Sequence, residues 1–172
     1  MGDFAAFNLM GWINDHEDVL KPPVGNAQLV PEGDFIVMAI GGPNVRTDFH
    51  DDPGEELFYQ VRGNIVLRIM DDGKPKDVPI NEGEMFLLPA HVPHSPQRPE
   101  GSVGVVVERK RVDGELDAFE WYCEACHTKV HRSELELKDI YKDLPPIFDA
   151  YYGNPGSRVC PDCGHQNPGK PG

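Results

Sequence analysis

Apolar and polar positions change period twice along the chain. Between residues 8 and 20, Leu9, Trp12, Ile13, Val19 and Leu20 recur at helical spacing behind Asn8, a capping residue, and Lys21-Pro22-Pro23 ends the run. From about residue 28 to 112 the apolar runs shorten to strand length, at 35–40, 57–61, 65–70, 85–88 and 103–107. Turn-forming clusters separate them: Gly41-Gly42-Pro43, Asp51-Asp52-Pro53-Gly54, Arg62-Gly63-Asn64, Asp71-Asp72-Gly73 and Asn81-Glu82-Gly83. Many short strands so punctuated predict an antiparallel sandwich or barrel. After Trp121 the period lengthens again. Ser133-x-x-Glu136 reads as a capping box opening a helix with Leu137, Ile140, Tyr141 and Leu144 on its apolar side, and Pro145-Pro146 stops it. Residues 167–172, rich in Pro and Gly, are expected to be disordered. The expected division is a barrel with an N-terminal helix over 1–118 and a small C-terminal unit over 119–172.

Composition narrows the partners. A formal charge of −13 on 172 residues argues against nucleic acid and acidic membranes, because phosphate binding relies on clustered Lys and Arg. No apolar run reaches the length of a membrane span, and the N-terminus lacks a basic segment followed by an apolar one, so a cytoplasmic protein is expected. All four cysteines fall in two pairs, Cys123-x2-Cys126 and Cys160-x2-Cys163. That distribution favours a four-thiolate iron or zinc site in a reducing compartment over disulfides. Cys160-Pro161-Asp162-Cys163-Gly164 resembles a rubredoxin knuckle, whereas His127 after Cys126 predicts a less regular first half. The four-cysteine unit is assigned to structure.

Two half-motifs carry the chemistry: Gly42-x5-Asp48-x-His50-x5-Glu56-x6-Gly63 and Gly83-x5-Pro89-x4-His94. Two histidines and one carboxylate are the facial triad that holds Fe(II) and leaves positions open for substrate and O2. Strand alternation would point Arg46, Asp48 and His50 to one side, bring Glu56 back across the turn and place Arg98 in phase with His94. So much charge inside a barrel needs a metal and a ligand to compensate it. His91, beside His94, reads as a supporting or surface residue. His16, His127, His131 and His165 fall outside the chemistry, and Trp12 and Trp121 read as core or interface.

The half-motifs resemble the cupin signature, with Asp48 where many cupins have their first histidine and His91 where the second motif usually has Gly. Finer blocks look like the bacterial 3-hydroxyanthranilate 3,4-dioxygenases. They are Lys21-Pro22-Pro23-Val24-Gly25-Asn26, Asp34-Phe35-Ile36-Val37, Gly41-Gly42-Pro43-Asn44, Arg46-Thr47-Asp48-x-His50-Asp51-Asp52-Pro53, His94-Ser95-Pro96-Gln97-Arg98-Pro99-Glu100 and Phe119-Glu120-Trp121-Tyr122-Cys123. The likeness runs from about residue 7 to the Cys160/Cys163 pair.

That resemblance implies a mainly β, jelly-roll cupin barrel with a small helical, rubredoxin-like C-terminal metal knuckle. It implies ring opening of 3-hydroxyanthranilate by O2, in a homodimer. It also implies Fe(II) on His50, Glu56 and His94, dioxygen contact at Arg46, the substrate carboxylate on Arg98, and a carboxylate at Glu108 that handles the ring substituents. Independently of the family, Arg98 offers a planar fork suited to a carboxylate. A cupin isomerase, a thiol dioxygenase, a non-enzymatic ligand-binding cupin and a zinc-ribbon interaction module are the competing readings. The isomerase and the thiol dioxygenase would not require two arginines in phase with the metal ligands. The binding cupin would lack the metal or have a closed site, and the charge and intact barrel motifs disfavour the ribbon module.

Overall fold

The short apolar runs become strands of two antiparallel sheets. The structure, a computed structural model, describes residues 5–22 and 25–170. Helix α1 (Leu9–Asp15) comes first, followed by β1 (Asn26–Val30), β2 (Phe35–Gly41), β3 (Phe49–Asp51), β4 (Glu56–Arg62), β5 (Ile65–Asp71), β6 (Lys74–Ile80), β7 (Met85–Leu88), β8 (His94–Gln97), β9 (Val103–Arg109), β10 (Asp117–Tyr122) and β11 (Lys129–Leu135). Helix α2 (Ile140–Tyr152) and a 3-10 turn (Pro155–Arg158) complete the chain. One sheet has the order β1-β2-β9-β4-β7, the other β11-β10-β3-β8-β5-β6. Phe58, Leu88 and Val106 of the first sheet meet Ile65, Leu67, Ile69 and Ile80 of the second to form the inter-sheet core. This is the jelly-roll cupin barrel the sequence led us to expect, with a helix at each end.

Helix α1 starts where expected. Asn8 Oδ1 accepts the Gly11 N–H at 3.0 Å, and Ile13 is fully buried against Leu20, Ala39 and Val103 on the outside of the first sheet. The helix stops at Asp15 rather than running to residue 20, because His16 takes the last carbonyls: its Nδ1 contacts Trp12 O at 2.8 Å and its N–H donates to Ile13 O. Of the prolines expected to end it, Pro23 lies outside the described residues.

The C-terminal helix starts later than its capping pattern predicts. Ser133 lies in β11, paired with Phe119 of β10, so strand pairing overrides the local capping-box pattern. Helix α2 begins at Ile140, and Asp143 reaches back to accept the N–H groups of Lys138 (2.9 Å) and Asp139 (2.7 Å). Pro145 and Pro146 lie inside this helix instead of ending it. They withhold two helical N–H donors, and packing of Leu144, Ile147, Phe148 and Tyr151 on Phe119 and Trp121 keeps the helix in place. The side chain of Tyr141 lies outside the described residues. Asn167, expected to be disordered, is buried: its Oδ1 accepts the Glu124 N–H at 3.0 Å and its Nδ2 donates to Arg158 O at 3.0 Å.

Candidate metal centre and active site

Backbone register assembles the centre. His50 of β3 and His94 of β8 are direct cross-strand partners in the six-stranded sheet. Across the barrel, Glu56 opens β4 directly opposite Glu108 of β9. The ligand atoms of His50, Glu56 and His94 lie within 4.8 Å of one another. His94 Nε2 is 3.1 Å and His50 Nδ1 3.5 Å from Glu56 Oε1, a buried oxygen with no well-formed hydrogen bond. Both outer ring nitrogens are spoken for, which fixes the tautomers: His94 Nδ1 donates to Val92 O (3.1 Å) and His50 Nε2 to Asp117 Oδ1 (2.7 Å). Phe119 stacks on the His50 ring, with centroids 4.9 Å apart and planes 11° from parallel.

The electrostatics call for a cation between these groups. Burial alone would lower the His50 imidazole, but its hydrogen bond to Asp117 and the facing Glu56 carboxylate outweigh that and hold it at about 10. Against a desolvation cost that opposes its charge, Glu56 stays well below the usual carboxylate range because His94 and His50 face it. Asp52, Glu56, Glu108 and Asp117 are all buried, with Arg111 as the guanidinium among them. Burial, then the neighbouring Glu108, pushes Asp52 up to about 8, so this group keeps a proton at neutral pH. One proton and one divalent ion would balance the charge that Arg111 leaves over. An orphaned carboxylate oxygen facing two inward imidazole nitrogens fits such an ion.

Of the two arginines, Arg98 follows directly after β8 and is 3% exposed. Its backbone is anchored by Asn44, whose Oδ1 accepts the Arg98 N–H (2.8 Å) and whose N–H donates to Arg98 O (3.1 Å). Gly104 leaves room for the guanidinium, since a Cβ there would sit 3.0 Å from Arg98 Nη1. That Nη1 is buried with no partner. Burial, and then the like charge of Arg46, lower Arg98 to about 10. Arg46 lies in the loop before β3, not on the strand, and pairs with Asp48 through Nη2–Oδ2 and Nε–Oδ1 (3.3 Å). Asp48 thus neutralises Arg46 rather than joining the triad. His91 is exposed, contacts Asp51 at 3.1 Å and has φ 60°, a backbone conformation that explains why glycine suits this position.

Two residues that complete the site were missed from sequence. Asp117 stands in step with Phe119 and Trp121 on β10, and a carboxylate in phase with two core aromatics was the available signal. Arg111, in the Arg109-Lys110-Arg111 run beyond β9, looked like an ordinary basic turn.

The four thiols gather at the other end of the chain, all sulfurs within 4.8 Å. The two halves match, contrary to the less regular first knuckle expected. Cys123 N–H donates to Thr128 O and His127 N–H to Cys123 O. Likewise Cys160 N–H donates to His165 O and Gly164 N–H to Cys160 O. His127 (φ 64°) takes the left-handed conformation that Gly164 (φ 72°) takes in its half. Hydrogen bonding from Thr128 lowers the Cys126 thiol to about 6, while the neighbouring thiols push Cys163 up.

Comparison with known proteins agrees with this architecture. Among solved structures, a Neisseria meningitidis protein, NMB1881, matches with a TM-score of 0.50 at 19% identity, over 62% of this chain and all of the other, a likeness of fold alone. A protein of Burkholderia cenocepacia named 3-hydroxyanthranilate 3,4-dioxygenase is 58% identical over 96% of this chain and 94% of its own length. Proteins of the same name from Ruegeria pomeroyi and Shewanella woodyi are 53% and 55% identical, each over 99% of this chain and over 95% and 90% of their own lengths. The family model for 3-hydroxyanthranilic acid dioxygenase matches residues 1–152, and the chain belongs to that family.

Proposed function

We propose that this protein is an Fe(II)-dependent extradiol-type dioxygenase. It opens the ring of 3-hydroxyanthranilate with O2 to give 2-amino-3-carboxymuconate semialdehyde, which cyclises without enzyme to quinolinate. Both oxygen atoms enter the product, so no external reductant is required. One observation carries the reading: a buried guanidinium, Arg98, whose Nη1 lacks a partner beside a two-histidine, one-glutamate cluster. A buried cation in that state is satisfied by an anionic ligand held at a fixed place next to the metal.

His50, Glu56 and His94 would hold the ion. Once bound, Fe(II) supplies a Lewis acid that acidifies the substrate hydroxyl and a redox centre between the electron-rich ring and O2. Arg98 takes the ring carboxylate in its fork. Glu108, paired with Arg111 at 2.5 Å and adjacent to the proton-holding Asp52, accepts the hydroxyl proton. Arg46 lines the side where dioxygen enters, its charge tempered by Asp48. The four cysteines hold a second iron or zinc ion in a structural role.

A homodimer completes the proposal. Helix α1 covers one end of the outer face of the first sheet, and Phe35, Tyr59, Met85 and Leu87 leave the remainder apolar and exposed, the surface a second copy would cover. Sedimentation velocity of the wild type against Leu87→Glu tests it, a monomeric wild type refuting it. No helix among the described residues is long and apolar enough to cross a membrane.

The deciding experiment is anaerobic loading with Fe(II), followed by 3-hydroxyanthranilate and air, with the semialdehyde absorbance followed in time. Transient absorbance giving way to quinolinate supports the reading. Iron-loaded protein that turns over neither this compound nor 2-aminophenol would instead be a ligand-binding cupin.

A further inference from the structure

Arg111 belongs to none of the half-motifs, yet it touches three buried carboxylates around the triad, Asp52, Glu108 and Asp117. Its side chain is 10% exposed. Nη1 donates to Glu108 Oε2 at 2.5 Å, and Nη2 donates to Asp52 Oδ2 and to Asp117 Oδ1, both at 2.6 Å. Nε closes a second bond to Asp117, reaching Oδ2 at 3.1 Å. Asp117 Oδ1 is the atom that receives His50 Nε2 at 2.7 Å. One planar group therefore grips, on one edge, the carboxylate that orients a metal-ligand imidazole and, at the opposite nitrogen, the carboxylate that faces the ring substituents.

We propose that Arg111 is the positioning residue of this centre, a single fork that sets the direction of the His50 lone pair through Asp117 and the direction of the Glu108 carboxylate at the same time. The inference rests on the proposed reading of the site. Arginine is required by geometry rather than by charge. Its donors leave in a fixed plane, and the side-on chelation of Asp117 uses two of them while a third stays on Glu108. An ammonium at this position can neutralise the cluster but cannot hold Asp117 and Glu108 at a fixed mutual angle. Carboxylates that hydrogen-bond the outer nitrogen of a ligating histidine typically govern 10- to 100-fold of metal affinity or activity, and here that carboxylate is itself held by Arg111.

The test uses the full-length chain carrying Arg111→Lys, Asp117→Asn and both together. Three quantities are read: affinity for Fe(II) at the triad with the four-cysteine metal counted separately, the ligand-field spectrum of the Co(II)-loaded triad, and kcat and KM for 3-hydroxyanthranilate at saturating Fe(II). Positioning predicts that Arg111→Lys binds Fe(II) about 10- to 100-fold more weakly, shifts the Co(II) bands and lowers kcat, with KM within a few-fold because Arg98 is untouched. Asp117→Asn gives the same loss of metal affinity, and the double variant is no weaker than the worse single one, since both act through one chain of contacts. Wild-type metal affinity and Co(II) spectrum in a folded Arg111→Lys overturn the proposal and leave Arg111 a purely structural salt bridge. If that variant fails to fold, Asp117→Asn decides alone, and unchanged metal affinity there has the same consequence. The metal and spectral measurements do not depend on turnover, so they stand whatever the substrate proves to be.

Discussion

His50 and His94 face each other directly across the β3–β8 pair, so the spacing of two ligands is set by a single rung of sheet rather than by loops. Glu56 approaches from the opposite sheet, with its oxygen 3.1 Å from His94 Nε2. The centre is thus a bridge between the two layers of the barrel, and each ligand can be removed without breaking a strand.

His50→Ala, Glu56→Ala and His94→Ala are each expected to abolish iron binding at the triad and turnover, while circular dichroism and the four-cysteine metal stay unchanged. Metal analysis of the purified variants checks this. A full complement of triad iron in any of them contradicts the ligand assignment.

Arg98→Ala should separate function from stability. Its Nη1 is buried without a hydrogen-bond partner, so removal of the side chain leaves Tm equal or higher. Loss of its pairing with the substrate carboxylate costs about 2–5 kcal/mol, or roughly 30- to several-thousand-fold in kcat/KM, with iron content unchanged. The same substitution should change activity toward 2-aminophenol, which lacks the carboxylate, very little. Equal losses on the two compounds would show that Arg98 acts through the fold.

Proton linkage gives a third expectation. His50 is held at about 10 against 6.5 for a free imidazole, and Asp52 at about 8 against 3.8. Both folded values lie above the unfolded ones, so each contribution is complete below the unfolded value and fades as pH rises, over about 6.5–10 for His50 and 3.8–8 for Asp52. Metal-free protein should therefore lose thermal stability from pH 6 to pH 9, and Fe(II) loading near pH 7.5 should release protons and flatten the slope. Tm with and without the ion, together with indicator-dye measurement of the protons released, tests both signs. A metal-free Tm that rises over this range would refute them.

Replacing Cys160 and Cys163 with Ser should lower Tm and solubility, because an ion held there would contribute folding free energy directly. Turnover per remaining triad iron should hold. Complete loss of turnover in a folded, iron-loaded double variant would instead assign the thiolate site to electron transfer.

Much of the fold and the triad is legible in the sequence because the informative residues are local. The runs that became β2, β4, β5, β7 and β9 alternate or cluster apolar residues between turn signals, and the half-motifs carry their ligands at fixed spacing. β6 is hidden because Lys74, Lys76 and Asp77 with two prolines make a polar edge strand, stabilised by pairing with β5 alone. β10 is hidden because both its faces are buried and Asp117 and Glu120 break the apolar run. Ser133 misleads because its capping pattern is local while its pairing with Phe119 is not. Arg111 and Asp117 could not be read as a pair, since their roles depend on which carboxylates the folded barrel turns toward one guanidinium.

The matched knuckles lie on either side of β11 and α2, with Cys126 and Cys160 separated by 34 positions and their sulfurs 3.5 Å apart. Their four sulfurs meet where that whole segment turns back on itself and α2 packs on Phe119 and Trp121. Phe119 also stacks on His50, so the same packing that permits the thiolates to converge presses on a ligand of the distant centre. An ion held by the four thiolates would therefore brace the barrel wall beside His50 from outside, through α2 and Phe119.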